Sequence, residues 1–310
     1  MRPGLKRESK TGTREWSEYS FNCCLGCAND CVYCYAAERE ARYKRCRRDQ
    51  WHMEVVNPGK VYLARRIIKG RREAEGRGAR GEERNGKEKL FAVAPIAPRP
   101  SLFGPHEGVT MFPTGHDITP GNLDACWPVL EALLLCGNRV LLVSKPNLDV
   151  ITDLLALMMS DKSPVKTILD RLEFRFSIGG LDEATCQFWE PGASCFHDRR
   201  ECIGMVKFAG FKVSVSAEPL LEPWRAISIV GCCLGWGADH VWIGKLNQLR
   251  RRTAHANIGG HPTLLKLEAW QDDEHVLQVV ESLKDYAAAG KVRYKDSYRE
   301  VIERSKEERS

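Results

Sequence analysis

Short apolar runs and longer mixed segments alternate along the chain. The runs at 18–21, 109–112, 139–145, 172–178, 211–217 and 239–244 are rich in β-branched and aromatic residues, and predict six strands. Segments with helix-forming composition or helical spacing separate them, at 36–51, 122–136, 149–159, 182–189, a stretch closing at Gly210, and 224–235. Asn122 begins the second of these and Gly137 ends it. Strand, loop and helix in this order predict the α/β class, a parallel sheet covered by helices. Six β/α units fall short of an eight-unit closed barrel.

The flanks differ. Residues 1–17 form a polar N-terminal tail, and 18–270 the main domain. Within it, Gly and charged residues nearly exclude apolar ones at 69–89, which predicts a mobile insertion. Residues 271–310 form a helical extension whose Val276, Val279, Val280 and Leu283 share one face, as for a helix packed on the barrel.

The chain of 310 residues is 43% apolar, enough for a sizeable core. No apolar run reaches membrane-spanning length and the N-terminus has no signal-peptide core, so a cytoplasmic protein without membrane contact is expected. Thirteen cysteines, an odd number, favour reduced thiols and metal binding over a disulfide framework. Most of them, Cys126 included, read as small buried hydrophobes. A net charge of +6 is compatible with nucleic acid without establishing it. Arg42, Lys44, Arg45, Arg47 and Arg48, and then Arg250, Arg251 and Arg252, form either solvated surfaces or phosphate-facing ones.

Chemistry concentrates in FNCCLGCANDCVYCY, from Phe21 to Tyr35, which holds five of the cysteines. Cys27, Cys31 and Cys34 are spaced C-x3-C-x2-C. Adding Cys24 gives four thiolates and a closed structural zinc site, although zinc ribbons separate their cysteine pairs by about 15–20 residues. A ferredoxin-like four-cysteine cluster needs a different spacing and a following Pro. Three thiolates with one open metal position is the remaining reading, the arrangement of a reactive centre. In parallel β/α folds reactive groups collect beyond the C-terminal strand ends. That rule selects Thr114, His116 and Asp117; Ser144 and Lys145; Ser177; Glu218; and Lys245 with Asn247.

With Tyr33 as the aromatic residue before its last cysteine, the motif resembles that of the radical S-adenosylmethionine (SAM) superfamily. The resemblance implies a partial (β/α)6 TIM-type barrel and a 4Fe-4S cluster on Cys27, Cys31 and Cys34. It also implies SAM chelated at the open iron, and reductive SAM cleavage to a 5′-deoxyadenosyl radical that abstracts hydrogen. An electron donor such as flavodoxin or ferredoxin would be a partner. The run Trp189-Glu-Pro-Gly-Ala with Arg199, followed by Ala217-Glu-Pro-Leu-Leu, is similar to the branch containing spore photoproduct lyase and phage-encoded relatives. That branch implies SAM contacts by Tyr33, by Thr114, Gly115, His116 and Asp117, by Ser144 and Lys145, by Ser177 at the ribose, and by Glu218. It also implies a nucleic acid base or nucleotide as substrate. The cysteine that donates hydrogen in photoproduct lyase has no assignable counterpart here. A peptide or small-metabolite substrate, and a non-catalytic zinc-stabilised nucleic-acid-binding module, are the alternatives.

Overall fold

The computed structural model describes residues 12–78, 102–160, 163, 165 and 167–308. Its strands are β1 (Tyr19–Ser20), β2 (Cys24–Leu25), β3 (Val55–Val56), β4 (Val109–Phe112), β5 (Arg139–Ser144), β6 (Leu172–Ser177), β7 (Lys212–Ala217), β8 (Val241–Ile243) and β9 (Val292–Tyr294). The helices are α1 (Tyr35–Arg42), α2 (Pro58–Gly78), α3 (Leu123–Leu135), α4 (Leu148–Met159), α5 (Glu183–Trp189), α6 (Phe196–Phe208), α7 (Ala226–Gly235), α8 (Leu249–Thr253), α9 (Pro262–Ala269), α10 (Asp273–Ser282), α11 (Lys284–Ala288) and α12 (Asp296–Glu307).

Seven strands form one sheet in the order β1-β4-β5-β6-β7-β8-β9, with every neighbouring pair parallel. The order follows the chain, so each crossover advances one strand and the helices cover the outside. Alternation along each strand divides the side chains between two surfaces. Phe112, Val140, Leu142, Phe174, Phe176, Val213, Val215, Val241 and Ile243 belong to the main core, together with residues from α3, α4, α6 and α7. The opposite parity supplies Glu173, Arg175, Ser214 and Trp242, which interact with one another: Arg175 donates to Glu173 and Ser214, and its guanidinium lies 5.3 Å from the Trp242 ring centroid. A polar interior inside an apolar jacket is the form of an open α/β barrel with room for a ligand.

The six expected strands are all present, and the expected partial barrel has one strand more. β9 adds to the edge of β8, from within the segment expected to be a purely helical extension. Val276, Val279 and Leu283 of that segment are buried as their spacing predicts. The insertion expected at 69–89 is corrected over its first half: α2 is helical to Gly78, and the remainder lies outside the described residues. Val61, Ala64 and Ile68 bury one stripe of α2 against the core. Beyond them Arg71 donates to the Leu135 carbonyl at the end of α3, and Arg72 pairs with buried Glu131 at 3.4 Å. The apolar run at 91–93 lies outside the described residues.

The tail is also corrected at its inner end. Residues Gly12–Glu15 make a helical turn, and Trp16 stacks beneath Lys295 with 3.7 Å from the ammonium to its ring centroid. Among the described residues no helix is long and apolar enough to cross a membrane.

Candidate functional site

One cavity of about 470 Å³ opens inside the barrel. Its wall includes Cys27, Cys31 and Cys34 on one side. On the other it includes residues beyond the C-terminal ends of five strands: Pro113 to Asp117 after β4, Lys145 after β5, Ser177 at the end of β6, Glu218 after β7, and Lys245 with Asn247 after β8. The cavity thus lies at the sheet end that the strand-end rule selects.

The cysteine loop is held by its surroundings. Gly26 has φ +91, and a Cβ there would collide with the Met53 carbonyl, so only glycine lets the loop pass the turn ahead of β3. The Cys27 amide donates to the Trp51 carbonyl at 2.8 Å. On the other flank Val32 donates to the Trp189 carbonyl at 2.9 Å, and Gly192 donates to Asn29 at 3.2 Å. A Cβ on Gly192 would overlap the Ala28 carbonyl. The Trp189-Glu-Pro-Gly-Ala run is therefore the mould against which the cysteine loop is cast. Cys34 is the N-cap of α1, and its sulfur accepts from the Ala37 amide at 3.5 Å, which favours negative charge on it.

Two carboxylates organise the polar groups. Asp117 accepts from the Lys145 amide and from Asn29 Nδ2, both at 2.8 Å. Its own amide points at Cys27 Sγ, 3.4 Å away. Burial alone would raise its pKa; the Lys145 ammonium at 3.6 Å, with these donors, holds it below the usual carboxylate range. Glu190 is fully buried, accepts from the Tyr33 hydroxyl, pairs with Arg199 at 2.6 Å and lies 3.9 Å from Lys145. Burial would lower Lys145, but the surrounding anionic groups, led by Asp117, push it well above the ordinary lysine value. Burial pushes the Cys27, Cys31 and Cys34 thiols upward, with Asp117 adding to the effect at Cys27. A cationic metal centre is what would deprotonate such a set.

Not every expected contact faces the cavity. Ser144 and Lys145 are consecutive, so strand parity sends them to opposite faces. Lys145 lines the cavity, whereas the Ser144 hydroxyl accepts from the Ile118 amide at 3.0 Å beneath the β4–α3 loop. His116 directs both ring nitrogens at protein groups: Nδ1 bonds the Asp117 carbonyl at 2.9 Å, and Nε2 lies at the long distance of 3.3 Å from each of the Cys23 and Cys24 amides. Neither nitrogen is free for a ligand in the cavity. Lys145 is already shared between Asp117 and Glu190. Thr114 and Gly115 keep their place through Asn22, whose Oδ1 accepts from both amides at 2.8 and 2.6 Å.

Residues that the strand-end rule missed include Asn22, Asn29, Tyr35, Glu54, Glu190 and Arg252. Tyr35 donates to the Thr114 carbonyl. Glu54 ties Ala28, Thr119 and Asn122 together at 3.1, 2.7 and 2.9 Å. Arg252 lines the cavity with its guanidinium 5.8 Å from the Tyr35 ring centroid, and burial lowers its pKa. The other arginines of the two basic groups are mostly paired with carboxylates: Arg42 and Arg251 with Glu38, Arg45 with Glu40, Arg47 with Asp49, Arg48 with Asp30, and Arg250 with Glu268. Among the described residues, no cysteine other than Cys27, Cys31 and Cys34 lines the cavity, and all thirteen cysteines are unpaired by disulfide.

No protein-family model matches the chain, and no curated protein matches it in sequence. Solved structures match it in fold. Spore photoproduct lyase complexed with dinucleoside spore photoproduct aligns with TM-score 0.56 at 15% identity, over 94% of this chain and 79% of that one. A tyrosine-to-phenylalanine mutant of the lyase aligns with TM-score 0.51 at 14% identity, over the same shares. A cysteine-to-alanine mutant with dinucleoside spore photoproduct aligns with TM-score 0.46 at 16% identity, over 77% of this chain and 59% of that one. The α/β architecture described above is that of the spore photoproduct lyase structures.

Proposed function

We propose that the protein is a radical SAM enzyme acting on a nucleic acid base or nucleotide. The observation that carries the reading is the meeting of the C-x3-C-x2-C thiols and the strand-end polar groups around one barrel cavity. Cys27, Cys31 and Cys34 would hold a 4Fe-4S cluster, and Ser177 and Glu218 are among the cavity groups that would contact SAM. Together the cluster and SAM supply, when bound, a 5′-deoxyadenosyl radical for hydrogen abstraction. The protein's part is positioning and electrostatics. Asp117 fixes Cys27 through its amide and Lys145 through its carboxylate. Lys145 offsets the negative charge that three thiolates bring into a buried wall. Tyr33 keeps the cysteine loop docked on Glu190. Lys245, Asn247 and Arg252 are the groups at hand for a polar substrate.

The nucleotide class is supported by the dinucleoside ligand of the lyase that shares the fold, and by Arg252 at the cavity. Photoproduct repair itself is not part of the proposal, because no further cysteine lines the described cavity to serve as hydrogen donor.

The test is anaerobic reconstitution of the full chain with iron and sulfide, followed by reduction with SAM present. A brown protein that releases 5′-deoxyadenosine is expected, and substitution of Cys27, Cys31 and Cys34 by Ala should abolish both colour and product. A reconstituted protein that stays colourless, or binds iron without cleaving SAM, overturns the reading. Oligonucleotide binding followed across salt concentration tests the substrate class; affinity that falls as salt rises, with a smaller slope in Arg252→Ala, is expected.

A further inference from the structure

Three thiols and an imidazole meet at a second place, beside the part of the cavity wall to which His116 belongs. Cys23 lies between β1 and β2, Cys24 is the first residue of β2, His116 lies in the β4–α3 loop, and Cys126 is in the first turn of α3. The ligand atoms of all four lie within 4.8 Å of one another. Cys23 Sγ is 3.5 Å from Cys126 Sγ, 3.9 Å from Cys24 Sγ and 4.0 Å from His116 Nε2. A zinc ion with bonds of about 2.3 Å to sulfur has tetrahedral sulfur–sulfur edges of about 3.8 Å. The observed separations bracket that edge, and they are far longer than a disulfide bond.

The imidazole is oriented as a metal ligand is. With Nδ1–H donating to the Asp117 carbonyl at 2.9 Å, Nε2 keeps its lone pair, 4.0 Å from Cys23 Sγ. Its contacts with the Cys23 and Cys24 amides, at 3.3 Å, are longer than an ordinary hydrogen bond of about 2.9–3.0 Å. Cys23 and Cys126 are buried in the main core, where water does not complete a coordination shell. Lys60 supplies a nearby positive charge: it donates to the Asn22 carbonyl at 2.7 Å and lies 5.0 Å from the Phe21 ring centroid.

We propose that Cys23, Cys24, His116 and Cys126 form a closed structural zinc site, which clamps the start of the cysteine loop to the β4–α3 loop and to α3. Four protein ligands leave no open position, so the ion is structural and not catalytic. Binding releases the protons of the three thiols to solvent, with no change of oxidation state. The site carries one net negative charge, which Lys60 offsets. Its mechanical consequence falls on the cavity, because His116 is flanked by Gly115 and Asp117, and Cys24 lies three residues before Cys27. Cys24 is thereby assigned to a different partner set from the tetrathiolate that spacing alone allowed.

The test uses the full chain purified from zinc-supplemented cells, with metals counted by mass spectrometry. One zinc per chain is expected. It should persist when Cys27, Cys31 and Cys34 are all replaced by Ala, while iron is lost, and should fall to background in Cys126→Ser and in His116→Gln. Because Cys126 is a core residue, a spectroscopic measurement on the unsubstituted chain stands beside the variants. Cobalt(II) exchanged for zinc should give the strong visible absorption of a tetrahedral thiolate site, and zinc-edge scattering should fit three sulfurs and one nitrogen. A zinc-free chain, zinc that leaves with the three cavity cysteines, zinc retained in Cys126→Ser, or a Cys23–Cys126 disulfide in the isolated protein would each overturn the proposal.

Discussion

Glu190 shows what a single buried residue can hold in this site. It faces the Tyr33 hydroxyl, the Arg199 guanidinium and the Lys145 ammonium, and both Glu190 and Arg199 are almost fully buried. Glu190→Gln leaves Arg199 as a buried charge without a counterion, which costs about 3–5 kcal/mol. Tyr33→Phe removes only one hydrogen bond to a charged acceptor, about 1.5–3 kcal/mol. Urea unfolding of the two variants, at unchanged slope, should rank Glu190→Gln as the more destabilised; the reverse order would remove Glu190 from its role as the common anchor. In the sequence Glu190 was visible only through its motif, since it belongs to no strand end. The strand-end rule picked out Asp117, Lys145, Ser177 and Glu218, which line the cavity. It could not separate Ser144 from Lys145, because a loop residue's parity is set by where its strand stops.

At the scale of elements, strands dense in Val, Ile, Leu and Phe were legible because both their faces or one whole face are apolar. β9 was not, because its three residues sit among charged neighbours and gain their place from pairing with β8. The start of α2 carried a readable signal that composition masked: Asn57 Oδ1 accepts from the Lys60 amide, with Pro58 as the first helical residue. Its later turns hold few apolar residues and depend on α3 through Arg71 and Arg72. The turn after β9 carries Lys295, which is wholly buried. It donates to the Gly12 carbonyl at 2.9 Å and pairs with Glu15 at 3.1 Å and Glu218 at 3.3 Å. This joins the first described residues to β9 across the open side of the sheet. Lys295→Met removes the ion-pair partner of Glu218, while Glu15 keeps Arg299 at 3.2 Å, and should cost about 3–5 kcal/mol. Amide exchange in residues 12–16 should accelerate more than exchange in β5 or β6; uniform acceleration would mean that Lys295 is not a local seam.

Across the whole molecule the barrel interior has two tiers. One is the cavity; in the other Arg175 sits between Trp16, which also lines the cavity, and Trp242, at 4.8 and 5.3 Å from their ring centroids, with Arg293 5.7 Å from Trp242. His240 adjoins this second tier and accepts from Trp242 Nε1 at 3.2 Å. Burial first, then the charges of Arg293 and Arg175, lower its pKa from 6.5 to about 4. In the folded protein His240 therefore stays neutral down to about pH 4, whereas in the unfolded chain it takes up its proton near pH 6.5. Below pH 6.5 the unfolded state binds more protons, so stability falls with pH through this window and levels off below about 4. Asp117 and Asp239 have lowered values and titrate below the window, while Glu131 and Glu218 have raised ones and oppose the trend. The difference between the wild-type chain and His240→Gln cancels the carboxylates common to both. Unfolding free energies measured across pH 4 to 6.5 should fall more steeply in wild type than in His240→Gln. Parallel curves would mean that neither burial nor the charges of Arg293 and Arg175 oppose protonation of His240 in the folded protein.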